Sequence, residues 1–332
     1  MPTDPVSPAT NCAVGIVHYD SWDDLAVCLD ALARQREGAV RVRVYDVDVG
    51  PAARSTGTAR ECRCVLESSH PHVIWMGGPN VGFAAAANRL LAAESNEAAP
   101  ATIQMILNAD VELDADHRLA MRCVFDDDSG VAVAGGKLFR PGRVLLDSAG
   151  IRLPAHARPR DRGSETPDAG RFDHGEDVFA VSGAAMALRT SALDDLAVEG
   201  EVFDEDFFMY HEDTDLCWRA RRLGWRVYYE PRATAVHRRG WRKHERFDTP
   251  VWIRRHSFKN HYLQLVKNET WTGLLRRAPA FVLWEILRLG FVLLRDPAMF
   301  RAYAEAFGAC PRALAKRRWI NARARRSRRS RC

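Results

Sequence analysis

A chain of 332 residues, 47% of them hydrophobic, buries a large core as one α/β domain or as a domain with an appendage. Its formal charge of +5 belongs to one end: residues 312–331 hold nine arginines, one lysine and no acid, and the remainder carries 38 basic against 43 acidic residues. The eight cysteines are scattered, and Cys62-x-Cys64 is too tight for a zinc knuckle, so reduced thiols in a cytoplasmic protein are expected.

Residues 1–12, rich in Pro, Thr and Ser, lack the basic start and apolar core of a signal peptide and are expected to be disordered. Cys12 to Tyr19 reads as a first buried strand. Asp23 to Arg36 reads as a helix on Leu25, Cys28, Leu29 and Leu32, and Val40 to Val47 as a second strand. Val73 to Met76 is a third strand before a Gly-Gly-Pro-Asn turn, Gly82 to Glu94 an alanine-rich helix, and Ile103 to Leu107 a fourth strand ending at Asn108-Ala109-Asp110. This alternation predicts a parallel sheet covered by helices on both faces, with ligands beyond the carboxyl ends of its strands.

After Asp110 the pattern changes. A helix from about Asp114 to Asp127 leads to a strand near Val131 to Ala134, and Pro154 to Gly175 is a Gly/Pro/Arg-rich surface loop. Val178 to Gly183 and Met186 to Leu188 are strand-like. Trp225 to Tyr229 is a strand closed by Pro231, and Ala233 to His237 continues it. From Arg254 onward the sequence turns helical and aromatic. Ala280 to Leu294 is apolar but interrupted by Glu285 and Arg288, a poor membrane span. It suits either an interfacial helix with Trp284 and Phe291 dipping into lipid or burial against the core. The arginine-rich end suits a polyanion, or serves as a solubilising tail.

Between these regions, Phe207 to Arg219 sets His211, Glu212, Asp213 and Asp215 directly behind an apolar aromatic run. Leu216, Ala220 and Leu223 predict a helix from about Thr214 to Gly224, with Asp213 or Thr214 as N-cap and Gly224 in the left-handed position after its end. The acids are then either favourable helix N-terminal charges or carboxylates held against apolar surface, which take up a proton or hold a cation.

Four features occur in order: Gly15 to Tyr19, the run Pro79-Asn80-Val81-Gly82-Phe83 to Asn88, Leu107-Asn108-Ala109-Asp110-Val111, and the acidic cluster followed by His237. Together they resemble the family-2 glycosyltransferases of the GT-A fold, most closely the rhamnosyltransferase-like branch, over about Ala13 to Gly240. The resemblance implies a Rossmann-like nucleotide-binding sheet (residues 13–112) fused to a mixed acceptor-side sheet (113–245). A helical, interfacial or core-packed extension (246–311) and the polybasic tail (312–332) follow.

It also implies roles. Tyr19, Asp46, Asn80, Gly82, Phe83, Asn88 and Asn108 would meet a nucleoside-diphosphate sugar, linked to dTDP, UDP or GDP and foremost dTDP-rhamnose. Asp110 and His237 would hold Mg²⁺ or Mn²⁺, whose preference for hard ligands the carboxylate oxygen of Asp110 meets. Asp213 would be the general base, with Glu212 as its backup, in an inverting displacement; Asp215, Trp218 and Arg219 would lie on the acceptor side. The acceptor would be a saccharide or a polyprenyl-linked sugar in cell-envelope polysaccharide synthesis, on the inner face of a membrane whose anionic surface holds the protein peripherally. Two departures stand out. Asp46-Val47-Asp48-Val49 replaces the usual Asp-Asn-x-Ser, leaving Asp46 and Asp48 both open for the nucleotide, and Asp20 follows Tyr19 where asparagine is usual. A sugar-nucleotide nucleotidyltransferase needs a Gly-rich, basic triphosphate loop that Val14 to Ser21 does not contain. A non-catalytic polyanion binder is the other alternative, but the tail has one aromatic, Trp319, and no nucleic-acid-reading module, so no nucleic-acid partner is expected.

Overall fold

The structure, a computed structural model, describes residues 11–38, 40–48, 57–239 and 247–329. Four parallel strands open the fold: β1 (Cys12–His18), β2 (Arg41–Asp48), β3 (Val73–Pro79) and β4 (Ile103–Asn108), lying in the order β3-β2-β1-β4. They are joined by α1 (Trp22–Ala33), α2 (Gly57–Ser69) and α3 (Gly82–Ser95). On one face Val14 and Ile16 pack with Leu25, Cys28, Leu29 and Leu32 of α1. On the other, the alanines of α3 let that helix sit close: a Cβ on Gly15 would lie 3.0 Å from Leu90 Cβ. Each fully buried Leu or Ile of this kind contributes roughly 1.5–3 kcal/mol. The strand order reverses between β1 and β4, which opens a crevice beyond their carboxyl ends.

The second half extends the same sheet with mixed polarity. β11 (Ala185–Arg189) runs antiparallel between β4 and β6 (Val131–Phe139), and β12 (Arg226–His237) runs parallel to β6. β5 (Val111–Leu113) and β10 (Glu176–Asp177) pair with β12, and β7 (Leu146–Ser148) with β6; among the described residues ten strands form this one sheet. A separate ribbon pairs β8 (Ile151–Arg152) with β9 (Arg160–Asp161). Helices α4 (His117–Asp127), α5 (Leu193–Leu196) and α6 (Glu212–Leu223) complete this half. An α/β sheet of this mixed kind, with helices after it, is the architecture expected from the sequence.

Several boundaries differ from expectation for local reasons. β3 runs on through Gly77-Gly78-Pro79, which pair with Asp46, Val47 and Asp48; it is an edge strand, where proline's missing N–H breaks no ladder. Pro231 does not close β12, because a bulge between Glu230 and Thr234 absorbs it. Val178 to Gly183 touches its neighbours only through isolated bonds, such as Val178 N–H to Val227 O at 3.0 Å. α6 starts at Glu212, two residues early, with His211 in the left-handed conformation as its N-cap, and ends on Gly224 at φ 91°.

Three helices follow: α7 (Val251–Asn268), α8 (Trp271–Arg295) and α9 (Phe300–Arg329). α7 buries a polar stripe of Asn260, His261, Gln264, Lys267 and Asn268. The arginine-rich end is the second half of α9, which turns Ala313, Ile320 and Ala324 inward and Arg312, Arg318 and Arg325 outward. Among the described residues no helix is long and apolar enough to cross a membrane. Of residues 1–12, expected to be disordered, the first ten lie outside the described residues, as does Gly240 at the end of the matched span, while Asn11 is described and Cys12 opens β1.

Candidate active site at the carboxyl ends of the central strands

Residues 203–211, packed between α3 and α7, hold unusual backbone. Phe208, Tyr210 and His211 all have positive φ (62°, 68° and 70°), a conformation costly for side chains of this size and common where function demands it. The strain is held from two sides. From α7, the Asn260 amide nitrogen lies 2.7, 2.8 and 2.9 Å from the carbonyls of Phe207, Met209 and Tyr210. From α3, the Asn88 side chain clamps the Phe203 backbone, donating to its O and accepting from its N–H, both at 2.8 Å.

The Asn80 to Asn88 run packs against the same segment. A Cβ on Gly82 would lie 2.5 Å from Phe208 O, and that same carbonyl accepts from Ala84 N–H at 3.3 Å. Phe83 meets Phe203 edge to face at 6.2 Å. The glycine, the helix N-terminus, Phe83 and Asn88 therefore receive the 203–208 segment of the chain itself. Asn80 is exposed, its amide oxygen accepting from Gly82 N–H at 3.2 Å. It stays at the rim of the crevice.

The acids behind the strained turn divide sharply. Asp213 is half-buried at the crevice, with Oδ2 accepting from Gly183 N–H at 2.9 Å and Oδ1 from Thr214 N–H at 2.6 Å. Burial raises its proton affinity, and these two N–H groups work the other way. Asp215 is fully buried and fully engaged: Oδ2 accepts from Lys267 at 2.8 Å and Arg219 at 3.0 Å, and Oδ1 from Asn268 at 2.7 Å. Arg219 is equally enclosed, and Trp218 is buried edge to face against Phe179. Asp215, Trp218 and Arg219, expected on the acceptor side, are therefore enclosed by the chain itself. The i, i+4 spacing from Asp215 to Arg219 turns both into the core, where they fasten α6 to α7.

Glu212 is buried, and its Oε2 finds no hydrogen-bond partner among the described residues. Burial, and then the charge of Asp213 beside it, pushes its carboxyl from 4.5 up to about 8. A carboxyl so raised holds its proton in the folded chain after the unfolded chain has released it, so stability falls as pH rises between about 4.5 and 8. Glu212→Gln should therefore be more stable than wild type at pH 7, by roughly 1–3 kcal/mol, with the gap closing towards acid pH. Urea titrations across that range check this, and parallel stability curves for the two proteins would exclude it.

On the opposite wall, Asp110 follows the end of β4 and His237 ends β12. His237 Nε2 lies 3.4 Å from Asp110 Oδ1, and its Nδ1 lies 2.7 Å from Asp147 Oδ2 on β7. Asp147, fully buried, forms an ion pair with Arg140, whose Nε lies 2.9 Å from Oδ1, and has Arg239 3.7 Å away. Burial opposes a charge on His237, but Asp110 and Asp147 outweigh it and raise the imidazole to about 9. Burial likewise opposes ionisation of Asp110 and Asp147, and bonding to His237 overcomes it, so both carboxyls sit below the usual range. Arg239 also lies 3.6 Å from Asp161 of β9, and the field of Asp213 reaches both Arg239 and Cys217. Arg239 thus stands beside the Asp110–His237 wall, within the field of Asp213.

Asp147, Asp161 and Arg239 escape a reading of the sequence. Asp147 and Asp161 sit on strands of three and two residues inside a loop-rich stretch, too short for periodicity to announce. Arg239 could have been noticed for standing two residues after His237. The remaining expected residues line the crevice: Tyr19 is exposed after β1, Asn108 is half-buried at the end of β4, and Asp46 is in β2. Ser21 N–H donates to His18 Nε2 at 3.1 Å, so Nδ1 carries the proton and donates to Asp46 Oδ1 at 2.9 Å; Arg63 takes Oδ2 at 3.1 Å. Asp48 ends β2, and its side chain lies outside the described residues.

As a donor set, Asp110 and His237 fit a divalent cation. A carboxylate and an imidazole nitrogen face each other, and the carboxylate on the far imidazole nitrogen fixes the ring. Among the described residues no group of three or more His, Cys, Asp and Glu side chains is arranged around one ion, so further ligands would come from a bound anion.

The sheet order and the crevice place the chain in the GT-A fold class. No protein-family model matches the sequence, and comparison with curated proteins returns no match. Among solved structures, the chain is similar to GalNAc-T7, determined with UDP, GalNAc and Mn²⁺, at TM-score 0.57 and 11% identity over 78% of this chain, although it spans only 49% of that one. It is similar to the mannosyltransferase PcManGT of Pyrobaculum calidifontis, in complex with GDP-Man and Mn²⁺, at TM-score 0.53 and 15% identity over 98% of this chain and 88% of the other. The third is S. aureus TarS (1–349) with UDP-GlcNAc, at TM-score 0.55, 14% identity, 96% of this chain and 89% of the other. At these identities the likeness is one of fold.

Proposed function

We propose that this chain is a metal-dependent glycosyltransferase that takes its sugar from a nucleoside diphosphate. The observation that carries the reading is the Asp110–His237 pair at the strand ends, with Arg239, held by Asp147 and Asp161, beside it and near Asp213 of α6. Three GT-A neighbours determined with UDP, GDP-Man or UDP-GlcNAc support the donor class, and Mn²⁺ in two of them supports the cation.

In this reading Asp110 and His237 hold Mg²⁺ or Mn²⁺, which when bound would offset the negative charge of the donor diphosphate. Tyr19, Asp46 and Asn108 line the donor side, and Asn80 its rim. Asp213 takes the proton of the acceptor hydroxyl as that oxygen bonds to the anomeric carbon. The bond from that carbon to the phosphate oxygen breaks, and its electron pair leaves with the nucleoside diphosphate. Attack opposite the leaving group inverts the anomeric centre. Glu212, protonated at neutral pH, is a hydrogen-bond donor to the acceptor, while Asp213 is the base; environments that push two neighbouring carboxyls to different proton affinities divide acid and base roles in this way. The resemblance to the rhamnosyltransferase-like branch favours dTDP-rhamnose as donor and a saccharide or polyprenyl-linked acceptor of the cell envelope.

A donor panel tests the reading. The purified chain is incubated with dTDP-rhamnose and with UDP- and GDP-sugars, each with Mn²⁺, with Mg²⁺ or with chelator, and nucleoside-diphosphate release is followed. At least one donor should be bound and slowly hydrolysed with a cation and not with chelator, and Asp110→Asn should weaken donor binding by about 10-fold or more. No donor bound under any condition would overturn the assignment.

A further inference from the structure

Helix α8 is inside out. Of its 25 residues only Arg288 and Val292 are buried. The Arg288 guanidinium lies 3.9 Å from the Phe258 ring centroid and 3.3 Å from Glu285, and Glu285 in turn accepts from Tyr262 at 2.5 Å. The two charged residues that interrupt the apolar run are therefore turned inward. Trp284, read from sequence as a lipid contact, stacks on His156 at 4.5 Å, and Phe291 faces Phe247 at 6.4 Å. The aliphatic residues point outward instead: Leu275 is 73% exposed, Leu294 84%, and Val282, Leu283, Ile286 and Leu287 between 53% and 63%. These positions follow helical spacing and form one contiguous aliphatic face, the kind of exposed patch that marks an interaction surface.

Charge decides what covers it. Glu285 is the only acid in α8, and it faces inward. Exposed Arg276 and Arg295 bracket the aliphatic face, and Trp271 leads it beside a cleft lined by Arg222, Arg317 and Arg325. A second copy packed on this face would bring arginine against arginine in either orientation, with no acid to compensate. A negatively charged lipid surface meets both features, acyl boundary for the leucines and phosphate for the arginines. The helix does not qualify as a membrane span, so it lies along the surface.

We propose that α8 docks flat on an anionic bilayer through Leu275, Val282, Leu283, Ile286, Leu287 and Leu294, with its arginines among the headgroups. The docked helix carries the acceptor half with it: Arg277 donates to Pro154 O at 2.8 Å and His156 stacks on Trp284, fixing the segment that ends in Asp161 at the crevice. The surface is defined independently of the reaction and is measured without a donor.

The experiment is co-sedimentation of the full chain with vesicles of phosphatidylcholine alone or with roughly a third phosphatidylglycerol, in about 0.15 M salt. Wild type should pellet with the anionic vesicles and far less with neutral ones. Leu283→Glu/Leu287→Glu should lower that partitioning by at least about 10-fold, while circular dichroism and thermal midpoint stay at wild-type values, since both side chains are exposed. Equal binding of the variant, or no binding by wild type, would overturn the proposal. So would a wild-type dimer in sedimentation velocity that the variant abolishes, which assigns the face to self-association. Donor turnover is assayed separately, so loss of vesicle binding with turnover intact counts against the surface alone.

Discussion

Asp213→Asn is expected to lose sugar transfer by at least ~100-fold while binding donor as wild type does. The substitution keeps the side chain's size but leaves one oxygen where there were two. Asp213 accepts from both Gly183 N–H and Thr214 N–H, so one of these loses its acceptor, a stability cost of about 1 kcal/mol. That is too little to unfold a core of this size, and the loss should appear in kcat with KM for donor nearly unchanged. Glu212→Gln is the informative partner. A glutamine still donates a hydrogen bond, so if Glu212 acts as a neutral donor the variant should retain most of its transfer. If Asp213→Asn transfers normally and Glu212→Gln is dead, the base is Glu212 and the division of roles proposed for the pair is reversed.

The residues legible in the sequence are those at the ends of long regular elements. Asn108 and Asp110 stand where a buried strand stops, and His237 where another does, so the pattern that announces the strand also locates the site. The Asn80 to Asn88 run was equally visible, but its partner was not: glycine at a helix start reports close approach of something, and only the fold shows that Phe208 makes the approach. The acceptor-side reading of Asp215 and Arg219 met a similar limit. Spacing places them on one side of α6 without saying that α7 covers that side. The polar stripe of α7 is the least legible part. Asn260, Gln264, Lys267 and Asn268 repeat as a solvated face would, yet they are buried because what they face is itself polar: the strained carbonyls of 207–210 and the carboxylate of Asp215. α8 is the converse, its leucines outside and its arginine within. Periodicity yields the faces of both helices and is silent on which face turns inward.

Lys267→Met should lower the unfolding free energy by about 3–5 kcal/mol at neutral pH, because it leaves buried carboxylates without their cation. Lys267 is almost fully buried between Asp204 and Asp215, and Lys316 from α9 reaches the other oxygen of Asp204 at 2.6 Å and Asp206 at 2.9 Å. Burial opposes ionisation of Asp204, but the two lysines overcome it and hold its carboxyl well below 3.8. A depressed carboxyl stabilises the fold above its unfolded value and loses that contribution as pH falls. Removing Lys267 relieves part of the depression, so the deficit of the variant should stay constant from pH 7 down to about pH 4 and shrink only below that, where Asp204 of the variant takes up its proton before that of the wild type. Lys267→Met/Asp204→Asn supplies the control. It leaves Lys316 with Asp206 and Glu201, and Asp215 with Arg219 and Asn268, so the double variant should recover at least about half of the loss. Chemical denaturation of the two variants reads this directly, and a double variant that loses the sum of the two single losses would show that Lys267 acts by packing. The network has a functional consequence, since Lys267 and Asn260 sit on one helix: loosening α7 releases the carbonyls that hold His211 and Tyr210 at positive φ, and with them the start of α6 that carries Asp213. Lys267→Met should therefore lose transfer before it unfolds, as the temperature is raised, whereas Asp213→Asn is inactive at every temperature at which it is folded.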